Sequence, residues 1–181
     1  MMDVVITALA LTVPLIVSGV AHMAVVKLNW FPWLKRPLHE PSFGANKTWR
    51  GLLAMPLFTV PGVFVARAFQ APFEPHLLVS FFVVNPIILG LALGLGYALA
   101  ELPNSWWKRR QGVAPGQLPS TNRLLFGFID QADSAFGCAV VYAIAMRPPL
   151  SVLLVVLLLA PAVHLVANVS LYLLGLRARP V

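Results

Sequence analysis

Charged residues are scarce in this sequence, and acidic residues are the scarcest of them. Of its 181 residues, 13 are Lys or Arg and only six are Asp or Glu, so 10% are charged while 59% are hydrophobic. Soluble domains average about 25% charged and roughly 45–50% apolar residues. A chain of this length has too little interior to hide so much apolar surface from water. The composition therefore excludes an ordinary soluble protein and predicts an integral membrane protein.

Several kinds of site are also missing from the sequence. A single cysteine, Cys138, excludes an internal disulfide and any CxxC metal site, and no GxxxxGK[ST] pattern is present for a Walker-type nucleotide site. The formal net charge of +7 lies mainly between apolar runs, where it suits loop orientation, anionic headgroups or a phosphorylated ligand. We therefore expect the lipid bilayer as a partner and no nucleic acid.

Five apolar segments approach the roughly 20 residues that a helix needs to cross the hydrocarbon layer. They cover residues 4–26, 52–69, 77–100, 124–146 and 150–174. Pro86 lies inside the third segment and predicts a bend there. We predict an all-α membrane protein, a single integral membrane domain over residues 1–181, built as a polytopic bundle of about five transmembrane helices.

Two long polar connections separate these segments, at residues 27–51 and 101–123. They and the C-terminal tail hold eleven of the 13 basic residues. Only Arg67, near the end of the second segment, and Arg147, after the fourth, fall on the other side. Short loops rich in Lys and Arg stay in the cytoplasm. The prediction is two polar, basic cytoplasmic loops, a cytoplasmic C-terminus and an N-terminus on the other side.

Two carboxylates interrupt the fourth apolar segment, in the stretch FIDQADS. Asp130 and Asp133 are three residues apart, so on a helix they share a face. An ionised carboxylate at mid-membrane costs roughly 2.5–3.5 kcal/mol, and a pair is stabilised by a cation between them. Mg²⁺ suits hard oxygen ligands of this kind, and we predict a metal site at this pair. A solvated pair at the helix end and a proton relay are the alternatives.

Two basic motifs, NKTWRG and NSWWKRR, combine Lys and Arg with amide and hydroxyl donors, which is the set that a polyphosphate needs. Read alone, each motif is better explained as a topology signal or a lipid-phosphate anchor. Together with the aspartates on the same side of the membrane, they indicate phosphoryl or nucleotidyl transfer. The candidate phosphate ligands are Asn46, Lys47, Thr48, Arg50, Asn104, Ser105, Lys108, Arg109 and Arg110.

Three further patterns in the apolar segments favour packing roles. The stretch LGLALGLGYA predicts close helix contact. Ser18 with His22, and His164 with Asn168, are spaced four apart, and interhelical hydrogen bonding is the favoured role for each pair.

Taken in order, FGANKTWRG, LPNSWWKRRQGVAPG and FIDQADS resemble the CDP-archaeol synthase family. This is the archaeal-type branch of the CTP-dependent lipid-phosphate cytidylyltransferases, related to phosphatidate cytidylyltransferase. The resemblance runs from about Phe43 to the C-terminus. The phosphatidate enzymes carry an arginine where this chain has Gln131, which favours the archaeal-type branch.

The resemblance implies an Mg²⁺-dependent reaction of CTP with a membrane lipid phosphate, giving a CDP-lipid and pyrophosphate. An archaeal-type diether glyceryl phosphate is the expected lipid. Asp130 and Asp133 would match the metal-binding aspartates, and Lys108 would join them as a catalytic residue. The remaining candidates in the two basic motifs would match nucleotide- and phosphate-binding positions.

Other function classes stay open from the sequence. A small ion-coupled transporter would use Asp130 and Asp133 as intramembrane cation sites. A CDP-alcohol phosphotransferase also uses aspartates with metal but has more of them, at longer spacing. A scaffold that binds anionic lipid would not need them. The sequence does not fix the lipid chains or the number of metals, and it is compatible with a homodimer without requiring one.

Overall fold

The computed structural model describes residues 1–117, 123–173 and 175, and long helices account for most of them. The helices are α1 (Met2–Lys27), the one-turn α2 (Glu40–Phe43), α3 (Trp49–Gln70), α4 (Pro86–Arg110), α5 (Arg123–Ala145) and α6 (Leu150–Leu173). Short 3-10 turns lie at Pro32–Leu34, Ala71–His76 and Phe81–Val83. These residues contain no β-strand, so the predicted all-α class is confirmed.

The five long helices run alternately up and down, with α3 against α1 and α4, and α5 against α4. At one end, the Lys27 ammonium donates to the Gly175 carbonyl. At the opposite end, the His76 ring lies 3.0 Å from the Asp3 carboxylate. The first end collects residues 28–48, residues 111–117 and the start of α5, and we call it the loop end.

Three helical segments are long and apolar enough to cross a membrane: Met2–Lys27, Trp49–His76 and Pro86–Arg110. Shorter apolar stretches occur at Ala132–Ala145 and Leu150–Leu159. These findings, which cover the described part of the chain, agree with an integral membrane protein. Five spans and the sidedness of the loops stay predictions.

The third predicted segment has different bounds in the structure. Its helix begins at Pro86 instead of residue 77, because the Asn85 side chain caps the N–H groups of Ile87 and Ile88 at 2.9 and 3.3 Å. Proline suits the first helical position, so Pro86 starts this helix and does not bend it. The helix also continues through residues 101–110, which were predicted to be loop.

The end of α4 is a Schellman motif. The Gly112 N–H donates to the Arg109 carbonyl at 3.1 Å, and the Val113 N–H donates to the Lys108 carbonyl at 3.0 Å. Gly112 has φ +70°, a conformation that glycine adopts without strain. This cap ends the helix immediately after its basic residues and turns the chain back toward the bundle.

Glycines allow the central helices to touch. A Cβ on Gly94 would lie 2.3 Å from the Pro56 Cα on α3, and a Cβ on Gly137 would lie 2.1 Å from the Gly96 carbonyl oxygen on α4. Both distances are shorter than any van der Waals contact. The packing role predicted for LGLALGLGYA is therefore confirmed.

Within residues 1–117, 123–173 and 175, the hydrogen bonding predicted for Ser18 and His22 is not found between helices. The Ser18 hydroxyl donates to the Leu15 carbonyl of its own helix at 3.1 Å. His22 Nδ1 is buried with no partner in the part of the chain that the structure covers. The side chains of His164 and Asn168 lie outside the described residues.

A Gly94→Ala substitution tests the α3–α4 contact. Because the added methyl group meets backbone atoms that must shift, we expect it to lower the free energy of unfolding by about 1–3 kcal/mol. Gly19→Ala is the matched control, since a Cβ there meets nothing within 4 Å. The control should be neutral or stabilising by up to about 1 kcal/mol. Thermal unfolding in detergent measures both, and equal stabilities would contradict the contact.

Candidate functional site

The two aspartates of α5 meet a single amide group of α4. Asn104 Nδ2 donates to Asp130 Oδ1 at 2.6 Å and to Asp133 Oδ2 at 3.0 Å. The two carboxylates therefore lie side by side and face α4, as the spacing of three residues predicts.

A buried ammonium group compensates part of their charge. Lys108 Nζ lies 2.5 Å from Asp130 Oδ1, with 11% of the lysine side chain and 30% of the aspartate side chain exposed. Asp133 instead accepts a hydrogen bond from the Ser134 N–H at 2.7 Å. Charge-assisted bonds in partly dry surroundings are stronger than neutral ones. The network thus holds both carboxylates in place while leaving acceptor capacity on each.

Glu101 joins this site, although the sequence analysis gave it no role. Its carboxylate forms an ion pair with Lys47 from the loop that precedes α3. Glu101, Asn104, Ser105 and Lys108 follow the i, i+3, i+4, i+7 spacing of one helix face. That spacing was the available signal, and it was missed because residues 101–110 were assigned to a loop.

These side chains surround a cavity of about 240 Å³ at the loop end, which we call the polar pocket. Most of the sequence-predicted site residues line it. The lining consists of Asn46, Lys47, Glu101, Asn104, Ser105, Lys108, Arg109, Gly116, Gln117, Asp130 and Asp133. The structure thus brings both basic motifs and the aspartate pair to one place.

Thr48 and Arg50 lie outside the polar pocket and have local partners. The Thr48 hydroxyl caps α3 by accepting from the Gly51 N–H at 3.3 Å. Arg50 is 5% exposed, and its Nη1 lies 3.3 Å from Asn29 Oδ1 and 3.4 Å from the Trp30 carbonyl oxygen. These contacts fix the loop that carries Asn46 and Lys47.

Arg110 also lies outside the polar pocket. Its guanidinium carbon is 4.7 Å from the centre of the Trp106 ring, on the exposed side of α4. This is a cation–π contact at the surface. Phosphate binding by Thr48 and Arg110 stays a prediction that the geometry does not favour. Phosphate binding by Arg50, whose Nε is buried with no partner among the described residues, also stays a prediction.

Arg109 has unused donors beside the pocket. Its Nη2 donates to the Ala114 carbonyl at 3.2 Å, while Nε and Nη1 are buried with no partner among the residues described. Gly44 packs against it with φ +86°, and a Cβ there would lie 3.2 Å from Arg109 Nη1 and 3.0 Å from Pro115 Cγ. A buried guanidinium with free N–H groups favours a bound anion.

The donor set of the pocket fits Mg²⁺. The carboxylates of Asp130 and Asp133 offer hard oxygen atoms side by side, held there by the Asn104 amide nitrogen. Within the described ranges there is no group of three or more His, Cys, Asp and Glu side chains that would hold a metal alone. Mg²⁺ typically uses one or two carboxylates and completes its shell with substrate phosphates and water, which agrees with this arrangement.

Comparison with known proteins gives the family. A CarS-like family model, described as CDP-archaeol synthase, matches residues 41–180. The chain belongs to the CDP-archaeol synthase family. It is therefore an enzyme, a nucleotidyltransferase, and its apolar helices make it an integral membrane protein.

Curated relatives carry the same description. The CDP-archaeol synthase of Halorubrum lacusprofundi is 34% identical over 140 residues, which cover 76% of this chain and 75% of that protein. The Halobacterium salinarum protein is 31% identical over 146 residues, with the same shares. The Thermofilum pendens protein is 29% identical over 138 residues, covering 76% of this chain and 58% of that protein. No solved structure matches the chain at a significant level.

The family match covers the whole polar pocket, from Asn46 to Asp133, but begins after α1. The first helix, Met2–Lys27, precedes the matched residues. The matched residues therefore include α3, α4, α5 and α6 with their connecting loops.

A Lys108→Met substitution tests the charge balance of the site. Removing the ammonium leaves Asp130 with one of its two partners, so we expect the free energy of unfolding to fall by about 1–2 kcal/mol without metal. Arg110→Met removes the same formal charge from an exposed position and should change stability by less than about 0.5 kcal/mol. Equal losses in thermal unfolding would show that the Lys108–Asp130 contact contributes nothing.

Proposed function

We propose that the protein transfers the cytidylyl group of CTP to the phosphate of a membrane lipid, an archaeal-type diether glyceryl phosphate or a close analogue. The products are a CDP-lipid for phospholipid biosynthesis and pyrophosphate. The observation that carries this proposal is the polar pocket, where two carboxylates lie beside Lys47, Lys108 and Arg109. A magnesium nucleotide needs acidic groups for its metal and cations for its phosphates, and this pocket offers both.

The reaction forms one bond and breaks one. An oxygen of the lipid phosphate bonds to the α-phosphorus of CTP, and the bond from that phosphorus to the oxygen bridging to the β-phosphate breaks. The electron pair leaves with pyrophosphate. Because the second pKa of a phosphate monoester is about 6, the attacking oxygen is mostly ionised at neutral pH. The chain therefore needs no general base, and positioning and charge neutralisation are its main contributions.

Each residue of the pocket has a place in this scheme. Asp130 and Asp133 would hold Mg²⁺, and Asn104 positions their carboxylates. Bound Mg²⁺ would supply charge neutralisation and alignment of the phosphates. Lys108 and Arg109 would bind the remaining phosphate oxygens, and Asn46 and Ser105 would add neutral donors.

We place the polar pocket on the cytoplasmic side of the membrane. Both basic loops meet at the loop end, where Lys47 from the first and Arg109 from the second line the same pocket. Loops of this composition stay in the cytoplasm, which is also where CTP is found. A homodimer stays compatible with this arrangement, and nothing in the mechanism requires one.

The transporter alternative has no support among the comparisons. It accounts for two acidic residues near the membrane but gives no role to the unpartnered donors of Arg109. A scaffold that binds anionic lipid accounts for the cations, yet it predicts that Asp130 and Asp133 are dispensable. Both alternatives predict that CTP leaves the stability of the protein unchanged with Mg²⁺ present.

A labelled-CTP assay tests the proposed reaction. Purified protein in detergent would be given Mg²⁺ and, separately, a diether glyceryl phosphate, phosphatidic acid or a polyprenyl phosphate. We expect label to enter the organic phase with the diether lipid. Asp130→Asn and Asp133→Asn should each lower turnover by about 100-fold or more, because the charge that holds the metal is lost.

Asp3→Asn is the matched control, since it changes an aspartate at the opposite end of the bundle. It should keep turnover near the wild-type value. Near-normal turnover in Asp133→Asn would refute its role as a metal ligand. No labelled lipid from any substrate, in folded protein that CTP and Mg²⁺ do not stabilise, would refute the proposed reaction.

Arg109 and Arg110 offer a paired test of nucleotide binding. Arg109→Leu should raise the dissociation constant of Mg²⁺–CTP roughly 10- to 100-fold, because charged hydrogen bonds to phosphate are lost. Arg110→Leu removes an equal charge from outside the pocket and should weaken binding by less than about threefold. Calorimetric titration measures both. If Arg110→Leu weakens binding more than Arg109→Leu does, the nucleotide binds on the outer side of α4 and the proposed site is wrong.

A further inference from the structure

A second cavity lies beside the polar pocket, between α1, α3, α4 and residues 35–48. Its volume is about 480 Å³, within the range of roughly 300–1,000 Å³ that is usual for small-molecule sites. The α1 side of its wall is mainly apolar: besides Gly19 and the polar residues Thr12 and His22, it consists of Leu15, Ile16, Val20, Met23 and Val26. We call it the apolar cavity, and its lining suits hydrocarbon chains.

The apolar cavity continues onto the outer surface of α1. Ile16 and Val20 belong to its lining and are 39% and 41% exposed. Helical spacing places them on the same face as Leu9, which is 47% exposed nearer the opposite end. Because α1 is long and apolar enough to cross the bilayer, this stripe would contact lipid chains. A lipid can therefore enter the cavity sideways.

The two cavities share one corner. Asn46, Lys47 and Glu101 line both of them, and the Lys47–Glu101 ion pair lies at this junction. The side chains of the pair are 21% and 27% exposed. Arg50 and Lys35 line the apolar cavity alone, and Arg50 Nε is buried with no partner in the described part of the chain. Among the described residues, Lys47 is the cation that lines both cavities.

We infer that the apolar cavity binds the acceptor lipid, with its chains along α1 and its phosphate at Lys47. In this arrangement Lys47 exchanges the Glu101 carboxylate for the lipid phosphate. The inference rests on the proposed function and adds the location of the second substrate. It also gives roles to α1 and Glu101, which the family motifs do not include.

Charge explains why the exchange favours a phosphorylated lipid. A phosphate monoester carries about −1.5 to −2 at neutral pH and offers three acceptor oxygens, whereas Glu101 offers a single negative charge. The ammonium group therefore prefers the phosphate once the lipid has entered. A neutral diether lipid fills the same cavity but leaves the Lys47–Glu101 ion pair intact. Lys47 thus selects for the phosphate that must reach the polar pocket.

Gly19 allows the cavity to be filled without disturbing the fold. It belongs to the cavity lining, and a Cβ there meets nothing within 4 Å. With full-length protein in nanodiscs, Gly19→Leu should raise the KM for the lipid phosphate at least about tenfold while the dissociation constant of Mg²⁺–CTP stays within twofold. Gly19→Ala should have a smaller effect. Ile144→Trp, on the exposed surface of α5, is the control for a bulky lipid-facing substitution.

The outcomes separate the two proposals. If the wild type makes a CDP-lipid and Gly19→Leu keeps the wild-type KM for lipid, the cavity assignment is wrong and the reaction stands. If the wild type makes no CDP-lipid, the proposed function fails and the cavity assignment fails with it. Ile16→Trp places a bulky side chain at the opening of the cavity, and it should raise the KM for the lipid phosphate as Gly19→Leu does.

The ion-pair exchange has its own measurement, which is lipid binding without CTP. Wild-type protein should bind the diether glyceryl phosphate roughly 10- to 100-fold more tightly than the same diether lipid without phosphate. Lys47→Met should abolish this preference while leaving the affinity for the neutral lipid unchanged, and Lys47→Arg should restore part of it. Glu101→Gln should keep the preference. Full preference in Lys47→Met would overturn the exchange.

Discussion

The close approach of α4 and α5 determines the rest of the site. Gly96 and Gly137 let the two backbones touch, since a Cβ on Gly137 would lie 2.1 Å from the Gly96 carbonyl oxygen. Asp133 lies about one turn before Gly137, and Asn104 lies about two turns after Gly96, so both are on the loop-end side of the contact. A larger side chain at the contact would separate Asn104 from both carboxylates. The chemistry therefore depends on two residues without side chains.

Electrostatic compensation follows from that contact. Carboxylates near the membrane interior are costly unless a cation or hydrogen-bond donors lie beside them. Lys108 and Asn104 supply these partners from α4, and Lys47 performs the same task for Glu101. The polar pocket already contains both signs of charge. A charged ligand that binds there replaces one partner of an existing ion pair, so few charges are left unpaired.

The sequence predicts those features that depend on local spacing. The shared face of Asp130 and Asp133 follows from helical geometry, and the structure agrees. No role was predicted for Glu101 because the low hydropathy of residues 101–110 indicated a loop. In the structure, α4 continues through these residues until its Schellman cap. The partners of Arg50 in the preceding loop depend on tertiary folding, which no spacing rule reveals. Thus the aspartate pair could be predicted, and the junction with Lys47 could not.

The apolar cavity has a wall on α1 that the polar pocket lacks, and this has an evolutionary consequence. The aspartates and their partners lie on α4 and α5, whereas much of the aliphatic wall lies on α1, ahead of the family match. With the acceptor lipid bound there as proposed, substitutions on α1 would change the preference for chain length or branching while the proposed phosphate chemistry is preserved. A lineage whose membrane lipids change would then adapt this enzyme through one helix, with the glycine contact and the aspartates unchanged.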